Sequence, residues 1–197
     1  MKETSVHDRT LSQSPSFWWV VAVGGILTLA RFSEAFLILR AQSIGLPMAW
    51  VPLVMVVMSV VYALAAYPVG ILSDRIERRF ILIIGTGLLI LADLVLAYAG
   101  NVWGVMIGVG LWGLHMGFSQ GLLAALIADT TPEERRGTAF GLFNLISGVL
   151  LLVASALAGL LWERGGPEAT FLMGASFSAI ALLGLFLFPL KGDRIGA

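Results

Sequence analysis

Six long apolar runs, each ended by a short polar stretch, constrain this chain more than any other feature. They are Phe17–Leu39, Trp50–Leu72, Phe80–Ala99, Val102–Ala128, Thr138–Trp162 and Ala169–Leu190. At about 1.5 Å of rise per residue, a helix of ~20 residues crosses a hydrocarbon core of about 30 Å, and every run reaches that length. Hydrophobic residues make up 58% of the chain and charged ones 12%, with a mean hydropathy of +0.94. No ordinary soluble domain is so apolar, and the expected fold class is an all-α polytopic membrane protein with six transmembrane helices. Residues 1–16 are expected to form a polar tail, 17–190 the six-helix unit and 191–197 a second tail. The first run is too long for a signal-peptide core, so no cleavable targeting segment is expected.

The placement of positive charge orients these runs. Lys2, Arg9, Arg75, Arg78, Arg79, Arg135, Arg136, Lys191 and Arg194 fall on one side, only Arg40 and Arg164 on the other, and Arg31 lies inside the first run. Positive residues are retained in the cytoplasm, so both termini are expected there, as an even number of spans requires. The expected location is a plasma membrane, of the bacterial inner-membrane type. The formal net charge is zero, which argues against a nucleic-acid partner. With no cysteine, the chain offers no disulfide or thiolate chemistry, and no cofactor is expected.

Small residues recur inside the runs. Gly113, Gly117 and Gly121 repeat every four residues in the fourth run, a stripe that lets another helix backbone come close. Gly141, Gly148, Ser155 and Gly159 share a face of the fifth. The Asp129–Gly137 connection is expected to hold a short surface helix, with Thr130 or Thr131 as its cap and Pro132 as its first residue.

The connection between the second and third runs reads Gly70-Ile71-Leu72-Ser73-Asp74-Arg75-Ile76-Glu77-Arg78-Arg79. Its charges belong at a membrane surface, and Gly70 is expected to allow a sharp exit from the preceding helix. Residue for residue it resembles the signature loop of the major facilitator superfamily, G-x-L-[AS]-D-R-x-G-R-R, with Glu77 in place of a glycine. The stretch from Pro132 to Asn144 is similar to the connection between the tenth and eleventh helices of that family. The resemblance thus covers all six runs. It implies one six-helix half, of 3+3 inverted-repeat organisation, from a twelve-helix transporter.

Three features resemble the second, C-terminal half: Glu77 in the signature, a fifth run without G-P-x-x-G-G, and a short tail after Lys191. The resemblance then implies that Gly70, Asp74, Arg75, Arg78 and Arg79 form a cytoplasmic gate. In it Asp74 meets the start of a helix from the absent half, while Arg78 and Arg79 chiefly set orientation and anchor to lipid head groups. The implied partners are the lipid bilayer, a small-molecule substrate, and the missing N-terminal half or a second copy.

Ionisable groups within a membrane span mark function by default. Arg31 and Glu34, three residues apart in the first run, are expected to share a helix face and pair. His115 lies mid-run between Trp112 and Met116. In the family the first and fourth helices of a half line the central path. Arg31, Glu34, His115, Trp112 and Asn144 are therefore the expected substrate or proton path, with Gln120 beside it and Phe32 and Phe36 as an apolar wall. Asp93, in the third run, is expected to make a packing hydrogen bond.

The function expected is secondary transport of a small solute by alternating access; Glu34 and His115 either couple it to protons or serve packing alone, Glu34 paired with Arg31 and His115 hydrogen-bonded to a neighbour. A half-size transporter working as a homodimer is the alternative within the class. An intramembrane enzyme is disfavoured. Gly174-Ala175-Ser176-Phe177 lacks the second glycine of a rhomboid-type G-x-S-G, and no histidine follows Ser176. Glu133-Glu134 has only His7 and His115 in the whole chain to join it in a metal site.

Overall fold

The computed structural model describes residues 15–187. The 191–197 tail, nearly all of the 1–16 tail, residues 188–190 of the sixth run, and Lys2, His7, Arg9, Lys191 and Arg194 lie outside the described residues. Within them all regular structure is helical: α1 Pro15–Ala30, α2 Ala35–Ser43, α3 Val51–Ser73, α4 Arg78–Tyr98, α5 Val102–Asp129 and α6 Arg136–Leu187, with single 3-10 turns at Met48–Trp50 and Glu133–Arg135. Five helical stretches are long and apolar enough to cross a membrane: Pro15–Ser43 counted through its break, Met48–Ser73, Arg78–Tyr98, Val102–Asp129, and Glu133–Leu187.

The last stretch is not one rod. Gly166 has φ 69° and ψ −165°, a conformation open essentially to glycine alone, and Pro167 follows it. Thr170 Oγ1 donates to the carbonyl of Ala158 at 3.3 Å. Twelve residues of continuous helix would hold those groups about 18 Å apart. The chain therefore doubles back at Gly166. The arm before it, 136–165, packs on α1, where Cβ atoms at Gly24 and Gly25 would meet Phe143 at 2.7 Å and Leu150 at 2.9 Å. The arm after it, 167–187, packs on α4, where Arg79 Nε donates to the carbonyl of Leu185 at 2.8 Å.

The first run, read as one helix through Leu39, is broken. Arg31 N still donates to Leu27 O at 3.0 Å, but the helix stops at Ala30 and α2 begins at Ala35. Side chains take over the bonding. Ser33 N donates to Ser155 Oγ at 3.1 Å, and Ala35 N to Ser33 Oγ at 3.3 Å. In an apolar medium these replacements are what make an interrupted helix tolerable.

Helix α5 lies between α3 and α4. Gly113 and Gly117 face α3, where a Cβ on Gly117 would meet that of Ala65 at 2.7 Å and one on Gly113 would overlap the Met58 carbonyl oxygen. Gly108 instead receives Leu96 of α4, 2.6 Å from where its Cβ would be. Gly121 meets nothing, so the glycine stripe is a close-packing seam over two of its turns only. Asn101 caps α5, its Oδ1 accepting from Gly104 N at 2.9 Å.

The 129–137 connection holds a single 3-10 turn rather than a surface helix. Thr130 closes the end of α5, its hydroxyl donating to Leu126 O at 2.8 Å. Two buried clusters form the core. One surrounds Phe32, Leu37, Met58, Leu96, Trp112 and Phe171. The other surrounds Phe17, Leu27, Ile81, Leu82, Leu123 and Leu185. Outside them Val56, Val60, Leu64 and Tyr67 of α3 and Leu145, Val149 and Leu152 of α6 are exposed, a coat that needs lipid or more protein over it.

Candidate functional site

The break in the first span opens onto a cavity of about 660 Å³. That size lies within the ~300–1,000 Å³ usual for small-molecule sites. Its wall is Thr28 of α1, residues 31–34 of the break, one face of α5 from Trp112 to Ile127, and the first arm of α6 from Phe140 to Leu151. Four of the five expected path residues are here: Arg31, Glu34, Trp112 and Asn144. Gln120 and Phe32 also line it.

Arg31 and Glu34 do not share a helix face, because the backbone between them is not helical. No ion pair joins them. Arg31 Nη1 is buried without a hydrogen-bond partner, and so is Ser147 Oγ across the cavity. Among the described residues the side chains of Glu34, Gln120 and Asn144 make no hydrogen bond or ion pair, although the charge of Glu34 acts on Arg31. Unpaired polar groups in an apolar wall are costly to maintain, and a solute that bonds them relieves that cost.

His115 is not on this wall. It is fully buried, and its Nδ1 donates to the carbonyl of Gly85 at 2.7 Å, tying α5 to α4. Phe36 is also behind the wall, its ring 5.3 Å from Phe32 and 5.8 Å from Trp162. Phe32 itself joins the wall to the interior, with its ring centre 5.6 Å from Trp112 and 5.5 Å from Phe171. Asp93 makes no packing hydrogen bond among the described residues. Both its carboxyl oxygens are buried without a partner, beside Gly174 of α6.

The 70–79 hinge departs from expectation at three residues. Helix α3 runs through Gly70 to Ser73, and the chain turns only at 74–77, with Arg75 N bonded to Leu72 O at 3.0 Å and Ile76 N to the same oxygen at 2.9 Å. Gly70 serves no turn; it lines a small groove with Gly117 and Gly121. Arg78 pairs with Asp129 at the end of α5. Arg79 donates to the carbonyls of Leu185 and Phe186, closing the end of α6. Both arginines tie helices together instead of waiting for lipid. Asp74 and Arg75 are exposed, and their side chains find no partner among the described residues.

Two further residues matter here that charge and motif alone do not single out, Ser147 and Arg40. Ser147 lies one turn after Asn144, and two polar residues at that spacing in an apolar run do point to one wet face. Arg40, counted only as an outward charge, is 9% exposed and donates from Nε to Leu96 O at 2.7 Å and from Nη2 to Ala97 O and Ala99 O at 3.3 and 2.6 Å. It closes the carbonyl end of α4.

Comparison with known proteins follows the same lines. The sequence profile of the Major Facilitator Superfamily matches residues 20–196. An uncharacterised MFS-type transporter of Methanocaldococcus jannaschii is 35% identical over 178 residues, covering 85% of this chain and 44% of the relative. The inner membrane transport protein YajR of Escherichia coli is 26% identical over 129 residues, 65% of this chain and 28% of the relative. A probable sugar efflux transporter of Pasteurella multocida is 29% identical over 147 residues, 74% of this chain and 36% of the relative. The chain thus spans less than half the length of these relatives. The crystal structure of an auto-inhibited POT family peptide transporter superimposes with a TM-score of 0.70 at 18% identity, over 88% of this chain and 37% of that one, a likeness of fold alone.

Proposed function

The chain belongs to the major facilitator superfamily, and from that membership we propose that it is one six-helix half, the C-terminal one, of a transporter that moves a small solute by alternating access. The observation that carries the reading is the cavity at the break of α1 and α2, where unpaired polar groups meet an aromatic wall inside an apolar helical unit. Broken helices of this kind supply solute sites in membrane transporters. The relatives are named as transporters, and the reading is accordingly transport and not enzymatic turnover.

The reversal at Gly166 supports six crossings, the arms of α6 being the fifth and sixth, with both termini on the cytoplasmic side of a plasma membrane. The exposed apolar coat and the open side of the cavity suit contact with lipid and with the other half of the transporter, preferred here over a second copy. Glu34 is the only carboxylate on the cavity wall among the described residues and is the group through which a proton would couple to transport.

Asp74 supplies the gate. Its carboxylate is exposed and unpaired within this chain, placed to meet the positive end of a helix from the other half and to let go when the halves rock apart. In the full-length gene product reconstituted in proteoliposomes, Asp74→Asn is expected to lower solute counterflow at least tenfold with membrane insertion unchanged. Counterflow equal to wild type would remove Asp74 from the mechanism.

A further inference from the structure

Within the transport reading, the two charges on the cavity wall narrow the kind of solute. Arg31 and Glu34 sit on the same four-residue break; the charge of Glu34 acts on Arg31, but no ion pair joins the two side chains. A guanidinium stays charged at any physiological pH. A solute that carries both charges can bond the two groups at once.

A purely anionic solute would satisfy Arg31 and be repelled by Glu34; a purely cationic one would meet the reverse. A sugar could hydrogen-bond both groups but would compensate neither charge. We infer that the cavity takes a small zwitterion, with its anionic group on Arg31 and its ammonium on Glu34. Ser147, on the same wall, has a buried hydroxyl without a partner. Beyond these two neighbouring charges the wall is apolar and aromatic, with Phe32, Trp112, Phe140 and Phe143. The body of the solute is therefore apolar, an amino acid with a large hydrophobic side chain or a molecule of the same plan. This rests on the transport reading only for its direction of movement, since binding is a property of the cavity itself.

Three probes of one shape separate the charges: phenylalanine, 3-phenylpropanoate without the ammonium, and 2-phenylethylamine without the carboxylate. Trp112 on the wall reports occupancy through quenching of its fluorescence. With the full-length gene product in detergent, phenylalanine is expected to bind at least tenfold more tightly than either analogue. Arg31→Gln should weaken phenylalanine and phenylpropanoate but leave phenylethylamine unchanged, and Glu34→Gln should weaken phenylalanine and phenylethylamine but leave phenylpropanoate unchanged.

Either analogue equalling phenylalanine, or no response to any of the three, overturns the inference, and the wild-type comparison needs no variant to fold. The two readings fail differently. Phenylalanine bound with this charge pattern but not moved in counterflow would sink transport and keep the zwitterion site. A singly charged analogue bound and moved would keep transport and sink the zwitterion.

Discussion

Gly113→Ala is expected to destabilise the protein by about 1–3 kcal/mol, the range for forcing an extra carbon into a packed core. Elsewhere in a helix the same change would stabilise by roughly 1 kcal/mol, because alanine is the better helix former. Here the sign reverses. The added Cβ would overlap the carbonyl oxygen of Met58 and come within 3.2 Å of its carbonyl carbon and 3.3 Å of its Cα. These are backbone atoms of α3, and no rotamer change moves them aside. The two helices must separate, and the seam that runs on to Gly117 separates with them. Gly121→Ala, eight residues further along the same helix with nothing within 4 Å of its Cβ, is the matched control. Thermal unfolding of the two variants in one detergent should move in opposite directions.

Arg40→Met is expected to cost roughly 3 kcal/mol or more, the loss of several charge-assisted hydrogen bonds together with carbonyls left unsatisfied. The guanidinium reaches Leu96, Ala97 and Ala99 at the end of α4 and Ser43 Oγ at the end of α2. It therefore binds α2 to α4, and it also places a positive charge where the α4 dipole is negative. Arg40→Lys should recover only part of the loss, because one ammonium cannot span three carbonyls as a planar fork does. Equal melting temperatures for wild type and Arg40→Met would show that water or lipid groups cap α4 as well as Arg40 does.

What could be read from sequence follows from which residues announce themselves. The reversal between the fifth and sixth runs is legible because Gly165-Gly166-Pro167 offers a left-handed position followed by a helix-starting proline. The break after Ala30 is not, because Arg31-Phe32-Ser33-Glu34 contains neither glycine nor proline and continues an apolar run. What accommodates it is a hydroxyl distant in sequence, Ser155, which takes the bond of Ser33 N. The wall of the cavity was largely legible, since charged and aromatic residues in two runs were assigned to one path. The direction of His115 was not. Helix α5 is apolar on every side, so no period in its sequence says which face turns to α4 and which to the cavity. The hinge misled for a related reason. A glycine next to a charged loop reads as a turn, whereas Gly70 lies within α3, and a Cβ there would meet nothing within 4 Å.

Alternating access is the central claim, and Gly148 is the position to test it. It lines the cavity, and a Cβ there meets nothing within 4 Å, so Gly148→Cys fits without repacking. This chain has no cysteine of its own. In a full-length background without other cysteines, labelling by a membrane-impermeant maleimide would be measured in right-side-out and inside-out vesicles. Reaction from both faces, with phenylalanine slowing it at each, is the predicted result. Reaction from one face only, whatever solute is present, would mean a fixed pocket and would contradict the account.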